Sequence, residues 1–274
     1  MTAHRRPLKS LGQNFLTDSA VIGRIITAAA VCQGDNVLEI GPGRGALTQH
    51  LVEKAGCLVL VEFDHLLADG FRRGIGQLPR VTVIDGDILT VDLEGALSSG
   101  SPWKVVANLP YNISTAVLFR MLDIRERLSR MTLMLQKEVG DRLTAPPGCA
   151  EYGVTTVLLG LWFDIRQEFV VPPECFYPAP KVDSAVLAFT PLAAPRVDVG
   201  DEQLFRRMVK SAFSMRRKTL SNCFRAADWL PSDLLPRLLA ETGIDGRRRG
   251  ETLSIGEFAL LSRKVLEITA PPAA

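Results

Sequence analysis

Between Asn36 and Thr190 the chain alternates short runs that are apolar throughout with longer amphipathic stretches. The runs Val37–Ile40, Cys57–Glu62, Val81–Ile84, Lys104–Asn108 and Met131–Gln136 lack the polar alternation of a half-exposed strand. Strands of that kind belong in a parallel sheet covered by helices on both faces. Helical periodicity falls between them, at about Ala46–Lys54, His65–Ile75 and Thr115–Asp123. The expected fold is therefore α/β, a doubly wound, mostly parallel sheet of the Rossmann-like kind. Phe163–Val171 and Ala185–Phe189 read as two further strands around a Pro-rich loop. Thr190-Pro-Leu-Ala-Ala-Pro-Arg then breaks the pattern as a linker does. Beyond it only helices are predicted, near Glu202–Phe213, Lys218–Ala227, Ser232–Glu241 and Ile255–Leu266, the last opened by a Ser254/Glu257 capping box. This divides the chain into a domain over residues 1–195 and a small all-helical one over 196–274.

The 274 residues are 47% hydrophobic and 23% charged, which excludes a disordered chain. No apolar run approaches the 18 or so residues of a membrane span, and no apolar stretch follows the basic N-terminus as in a secretory signal. Five cysteines without a C-x-x-C pair fit a reducing compartment, so a cytoplasmic protein with no membrane contact is expected. The net charge of +2 conceals a basic C-terminal region. Leu204–Arg225 carries seven Arg and Lys, no acid, and within itself no i,i+4 acidic partner. Such a stretch points to a bound polyanion.

The first strand runs into Glu39-Ile-Gly-Pro-Gly-Arg-Gly, and the glycines at 41, 43 and 45 let backbone approach a ligand closely. Glu62 ends the second strand, where an acid can accept from both hydroxyls of a ribose. Asp87 follows the third strand, where it can accept from an adenine amino group. Three such elements at consecutive strand ends describe a nucleoside site. Glu39, beside the glycines, either orders the loop or holds a cationic amino group.

The fourth strand leads into Asn108-Leu-Pro-Tyr-Asn-Ile-Ser. This loop resembles that of S-adenosyl-L-methionine-dependent methyltransferases acting on exocyclic amines. The N6 lone pair of adenine is delocalised into its ring. Acceptors such as the Asn108 side-chain oxygen and a Leu109 or Pro110 carbonyl favour a pyramidal nitrogen aimed at the methyl group. Tyr111 would stack on a base drawn out of its helix. Further runs narrow the resemblance: Lys9-Ser-Leu-Gly-Gln-Asn-Phe-Leu, Leu133-Met-Leu-Gln-Lys-Glu-Val, Pro147-Gly, Glu151-Tyr-Gly-Val, Phe176-Tyr-Pro-Ala-Pro-Lys-Val-Asp-Ser-Ala-Val and Arg217-Lys-Thr-Leu-Ser-Asn. Together they are similar to the KsgA (RsmA) family of small-subunit ribosomal RNA adenine N6,N6-dimethyltransferases, from about residue 8 to 267.

That resemblance implies dimethylation of two adjacent adenosines in the 3′-terminal hairpin of 16S rRNA, within the 30S subunit or its precursor, by a monomer. It implies cofactor contacts by Asn14, Leu16, Gly41, Glu62, Asp87 and Asn108, to which the glycine-rich turn adds Gly43 and Glu39. The target base is expected between Tyr111 and Phe176, and rRNA phosphates at Arg216, Arg217 and Lys218. Phe63, Cys149 and Cys223-Phe224 depart from the family pattern without touching a proposed catalytic position. Histidines 4, 50 and 65 form no metal cluster, and sulfonium chemistry needs none. Two other functions remain: a 23S rRNA adenine methyltransferase of the macrolide-resistance type, and a non-catalytic assembly factor. The Phe176 and Arg217 runs disfavour the first. Glu62, Asp87 and Asn108, all present, disfavour the second.

Overall fold

A computed structural model describes residues 13–97 and 102–269. The basic start of the chain, with Lys9–Gly12 of the Gln-Asn-Phe-Leu run, lies outside the described residues. The strands are β1 (Phe15–Leu16), β2 (Asn36–Ile40), β3 (Cys57–Glu62), β4 (Val81–Asp85), β5 (Trp103–Asn108), β6 (Leu128–Gln136), β7 (Phe163–Val171), β8 (Phe176–Tyr177) and β9 (Ser184–Pro191). The helices are α1 (Ser19–Ala29), α2 (Thr48–Lys54), α3 (His65–Arg73), α4 (Leu93–Ala96), α5 (Ser114–Asp123), α6 (Lys137–Thr144), α7 (Val154–Gly160), α8 (Glu202–Ala212), α9 (Leu220–Arg225), α10 (Leu234–Thr242) and α11 (Ile255–Thr269).

Seven strands form one sheet in the order β4-β3-β2-β5-β6-β9-β7. The pairs β2–β3, β3–β4, β2–β5 and β5–β6 are parallel, and β9 pairs antiparallel with β6. Of the strands predicted as apolar throughout, β4 lies at the sheet edge and the others fill the interior: Leu38, Leu58, Leu60, Val106 and Leu133 are fully buried, as is Leu187 of β9. The chain moves outward from β2 through β3 to β4, then returns to lay β5 on the other side of β2. That reversal opens a crevice beyond the carboxyl ends of β2 and β5, where ligands bind in sheets of this kind. The Gly-rich turn follows β2 and the Asn108 loop follows β5.

The amphipathic helix α1 lies ahead of the predicted pattern. Asp18 accepts from the Val21 N–H at 2.9 Å to cap it, and Val21, Ile22, Ile25, Ile26 and Ala29 form its buried stripe. The two-residue strands β1 and β8 pair antiparallel, Phe15 opposite Tyr177 and Leu16 opposite Phe176.

The described residues fall into two compact units, one up to Gly140 with Asp164–Pro191, the other Asp141–Phe163 with Leu192 onward. The division expected at 195 thus moves to 191, and residues 141–163 leave the first unit. Backbone hydrogen bonds explain the change. Leu192 N–H donates to Trp162 O at 2.9 Å and Arg196 N–H to Leu161 O at 2.8 Å, while the Arg196 side chain meets Gly160 O at 2.9 Å and Phe163 O at 3.1 Å. The supposed linker is pinned to the end of α7. In the same unit the Phe213 ring lies between those of Tyr152 and Phe258, at centroid distances of 6.2 and 6.0 Å. The capping box at the start of α11 forms: Ser254 Oγ accepts from Glu257 N–H at 3.2 Å, and Glu257 Oε2 from Ser254 N–H at 2.8 Å.

Candidate active site

Gly41, Gly43 and Gly45 all have positive φ, at 64°, 60° and 83°. Side chains other than glycine are strained there. Gly43 also has a neighbour: a Cβ at this position would stand 3.2 Å from the Phe15 ring. The turn is held from below, because Gly41 N–H donates to Val61 O at 2.9 Å and Gly43 N–H to Glu62 Oε2 at 2.9 Å. The other Glu62 oxygen accepts from Asp64 N–H at 2.9 Å. Glu62 therefore ties the ends of β2 and β3 together, a role the sequence reading assigned to Glu39 as one option. With Phe63 N–H as a third backbone donor, the carboxylate still has acceptor capacity for a further donor. Burial pushes the Glu62 pKa up, the Asp64 and Gly43 hydrogen bonds pull it back, and the Asp64 charge adds to the rise.

Glu39 behaves differently. It is 2% exposed and its Oε2 is buried without a hydrogen-bond partner. Burial lifts its pKa to about 8, offset in part by the nearby Thr48 hydroxyl and reinforced by the Glu62 charge. A buried, unsatisfied carboxylate is costly unless a cation meets it.

Asn108 ends β5 and donates from Nδ2 to Asn14 O at 3.1 Å. A carbonyl can be met only by the amide NH2, so this bond decides which way the side chain points. The acceptor Oδ1 is the end left for a ligand. Beyond it Leu109 N–H donates to Met134 O at 3.1 Å, and Pro110 O accepts from Ile113 N–H at 3.2 Å in a turn. Tyr111 shares a 2.6 Å hydrogen bond with the Oγ of Ser184, a fully buried residue at the start of β9. Burial raises the Tyr111 pKa, and the Ser184 bond offsets part of it.

Two adjoining cavities collect these groups. One, of about 80 Å³, is lined by Asn14, Phe15, Leu16, Glu39, Gly41, Gly43, Arg44, Glu62 and Asn108 to Tyr111. The other, of about 210 Å³, shares Gln13, Gly41, Glu62 and Pro110 with it and adds Phe63, Asp87, Ile88 and Ile113. Asp87 uses Oδ1 to accept from Leu89 N–H at 2.9 Å. Phe63 is 53% exposed at the rim of the apolar side. The sequence reading passed over it as a departure, although its place right after Glu62 at a strand end was the available signal. Gln13 and Ser184 were missed too, since one sits in a short strand's lead-in and the other reads as an ordinary strand residue.

Phe176 is where expectation and structure part. It is 4% exposed, packed in a core cluster with Leu16, Val171 and Met134, and lines neither cavity. Pairing with Leu16 across β1–β8 turns it inward, and its neighbour Tyr177 is the exposed aromatic at 59%.

In the second unit Arg216, Arg217 and Lys218 are exposed in the turn between α8 and α9, where the predicted helices also leave Arg216 and Arg217, and Lys218 lies just ahead of the helix it was expected to open. Arg216 donates to Ala150 O at 3.2 Å. Arg216 and Lys218 line a cavity of about 280 Å³ together with Arg142 and Arg249. The basic stretch is less isolated than its sequence suggests. Arg206 pairs with Glu202, one turn before it, at 2.9 Å, and Arg207 lies 6.0 Å from the Trp229 ring. Among the described residues no group of His, Cys, Asp and Glu is arranged to hold a metal, and no helix is long and apolar enough to cross a membrane.

Comparison with known proteins accords with this geometry. The family model for ribosomal RNA adenine dimethylase matches residues 5–264. Ribosomal RNA small subunit methyltransferase A of Geobacter sulfurreducens is 56% identical, covering 95% of this chain and 96% of its own. Its namesake from Syntrophotalea carbinolica is 48% identical, covering 96% and 98%. Among solved structures, a dimethyladenosine transferase from Plasmodium falciparum shares the fold, with a TM-score of 0.79 at 23% identity over 92% of this chain and 98% of its own. The 23S rRNA methyltransferase ErmE follows at 0.68 and 25% identity, over 92% and 99%. The chain belongs to the ribosomal RNA adenine dimethylase family, and it is an S-adenosyl-L-methionine-dependent methyltransferase.

Proposed function

We propose that this protein methylates N6 of two adjacent adenosines in the 3′-terminal hairpin of 16S rRNA, within the 30S subunit or its precursor, as a cytoplasmic monomer. The observation that carries the reading is Asn108. Its Nδ2 is committed to Asn14 O, and its Oδ1 remains as an acceptor at a cavity that also holds two buried carboxylates.

The residues present fit S-adenosyl-L-methionine. The unsatisfied Oε2 of Glu39 suits a cationic amino group. Glu62 would take the ribose hydroxyls, Asp87 the adenine amino group, and Phe63, Ile88 and Ile113 the adenine faces. Gly41, Gly43, Asn14 and Leu16 would line the remainder. When bound, this cofactor supplies an electrophilic methyl carbon on a sulfonium. The chain's own part is to position the amine. Asn108 Oδ1 and the Leu109 carbonyl accept from N6, which favours a localised lone pair. Pro110 O already accepts from Ile113 N–H in its turn, which favours the Leu109 carbonyl as this second acceptor. Tyr111 stacks on the target base with its ring tethered at Ser184. Phe176 acts beneath β1 as a packing residue, not on the base. The proton leaves the methylated nitrogen readily, so no strong base is required. Arg216, Arg217 and Lys218 grip rRNA phosphates, which orients the substrate without reading its sequence.

The test is competition. With 30S subunits that lack the two modifications and protein-free 23S rRNA in one reaction, methyl groups should enter the subunits alone. Incorporation into 23S rRNA instead would favour the macrolide-resistance type of activity. No incorporation, with cofactor binding absent in calorimetry, would favour the non-catalytic assembly factor.

A further inference from the structure

We propose that Phe15, Arg44 and Tyr177 form a stacking platform at the lip of the catalytic cavity, and that it holds the nucleotide next to the target adenosine. This rests on the reading of that cavity as a site of adenosine methylation.

The β1–β8 pair sets the geometry. Alternation along a strand puts Leu16 and Phe176 on one face, where they are 6% and 4% exposed, and Phe15 and Tyr177 on the other. Residues directly opposite in an antiparallel pair have side chains in reach of each other. Tyr177 is 59% exposed. The Arg44 guanidinium lies 4.3 Å from the centroid of the Phe15 ring and 6.0 Å from that of Tyr177, within cation–π range of both. Arg44 is itself exposed. Its backbone belongs to the glycine turn that Glu62 holds through Gly43, and the missing side chain at Gly43 makes room for Phe15. Phe15 and Arg44 line the same cavity as Asn108, Pro110 and Tyr111. The platform is thus joined to the reacting centre by backbone.

A base drawn into the cavity leaves its stack, and the neighbouring base loses a partner on that side. An exposed tyrosine ring replaces it, as aromatic side chains do for unstacked RNA. A guanidinium over the same rings adds a cation beside the phosphate that links the two nucleotides. Phe15 and Arg44 line the cavity read as taking an adenosine of an RNA strand, so the occupant of the ring beside it is the next nucleotide of that strand. Tyr177 acts here as a positioning residue.

The full-length protein tests this with unmodified 30S subunits and with a short single-stranded RNA carrying two adjacent adenosines and 2-aminopurine on either side in turn. Tyr177→Ala should raise KM for the subunits about tenfold, in the range that loss of one stacking residue produces, and leave kcat within about threefold. Tyr177→Phe should behave as wild type. Wild type and Tyr177→Phe should quench 2-aminopurine at one flanking position, and Tyr177→Ala should not. Cofactor affinity and unfolding temperature should be the same in all three. Wild-type KM and quenching in Tyr177→Ala overturn the platform, and so does a Tyr177→Ala defect that comes with a lowered unfolding temperature. Quenching by RNA of the same length without adenosines, at equal strength, would assign the ring to nonspecific contact and overturn it as well. Failure of the wild-type protein to methylate adenosine in the subunits counts against the proposed function, a separate outcome from any of these.

Discussion

The cavity beyond β2 and β5 and the basic turn at Arg216–Lys218 are built on opposite principles. In the cavity, polar groups are buried or half-buried and their directions are decided by hydrogen bonds with backbone: Gly43 and Asp64 N–H donate to Glu62, and Asn108 donates to Asn14 O. In the turn, three cations are exposed, and of the three Arg216 makes a hydrogen bond to backbone. Buried groups act by direction, and exposed ones by charge screened over about 8–10 Å at ordinary salt. Chemistry on one amine needs the first kind of site. Holding a large polyanion needs the second.

The largest effect that separates the two is expected at Asn108. Asn108→Ala should lower turnover by about 10²–10³, the cost of losing one preorganised polar group at a reacting centre, with RNA affinity little changed. Turnover within about threefold of wild type would mean the amide does not face the amine. Next comes Glu62→Ala, which should weaken cofactor binding by about 2–3 kcal/mol in calorimetry. Part of that loss belongs to the Gly43 turn that Glu62 holds, so Glu62→Gln should lose less.

A third prediction concerns pH. Glu39 has its pKa raised by burial from 4.5 to about 8. Ionising it costs the ligand-free fold stability, so that stability is complete below about pH 4.5 and is lost as pH rises through about 8. A cation bound beside Glu39 reverses the preference. Cofactor affinity should therefore rise with pH up to about 8, by at most about tenfold per unit, with proton uptake by the buffer on binding. In Glu39→Gln both the pH dependence of affinity and that of the unfolding temperature should flatten. A wild-type affinity flat from pH 6 to 8 would remove the cation from Glu39.

The smallest effect belongs to the turn. Replacing Arg216, Arg217 and Lys218 by Ala should weaken subunit binding about tenfold at physiological salt and flatten its salt dependence, with cofactor affinity unchanged. An unaltered salt slope would remove these residues from the phosphate contacts.

The same contrast governs what could be read from the sequence. Strands β2 to β6 were legible because each holds a short run rich in apolar and β-branched residues, and the glycines, Glu62, Asp87 and Asn108 follow from their places at strand ends. Strands β1 and β8 were not, because two-residue strands carry no period and pair across about 160 residues of chain. The inward turn of Phe176 and the exposure of Tyr177 depend on that pairing, so the sequence shows two adjacent aromatics without showing which one is buried. The unit boundary was misjudged for a related reason: Leu192 and Arg196 bond to Trp162 and Leu161, contacts that no local pattern announces. Glu39 and Glu62 look alike in sequence, two acids at adjacent strand ends. Burial and the reach of Gly43 N–H separate them.

The most direct test of the whole account treats unmodified 30S subunits with wild-type protein and with Asn108→Ala, then maps every methylated nucleoside by mass spectrometry. The account predicts N6,N6-dimethyladenosine at two adjacent positions near the 3′ end of 16S rRNA with wild type, and almost none with Asn108→Ala, while both proteins bind cofactor. Methyl groups at other atoms or other sites, or equal yields from the two proteins, would contradict it.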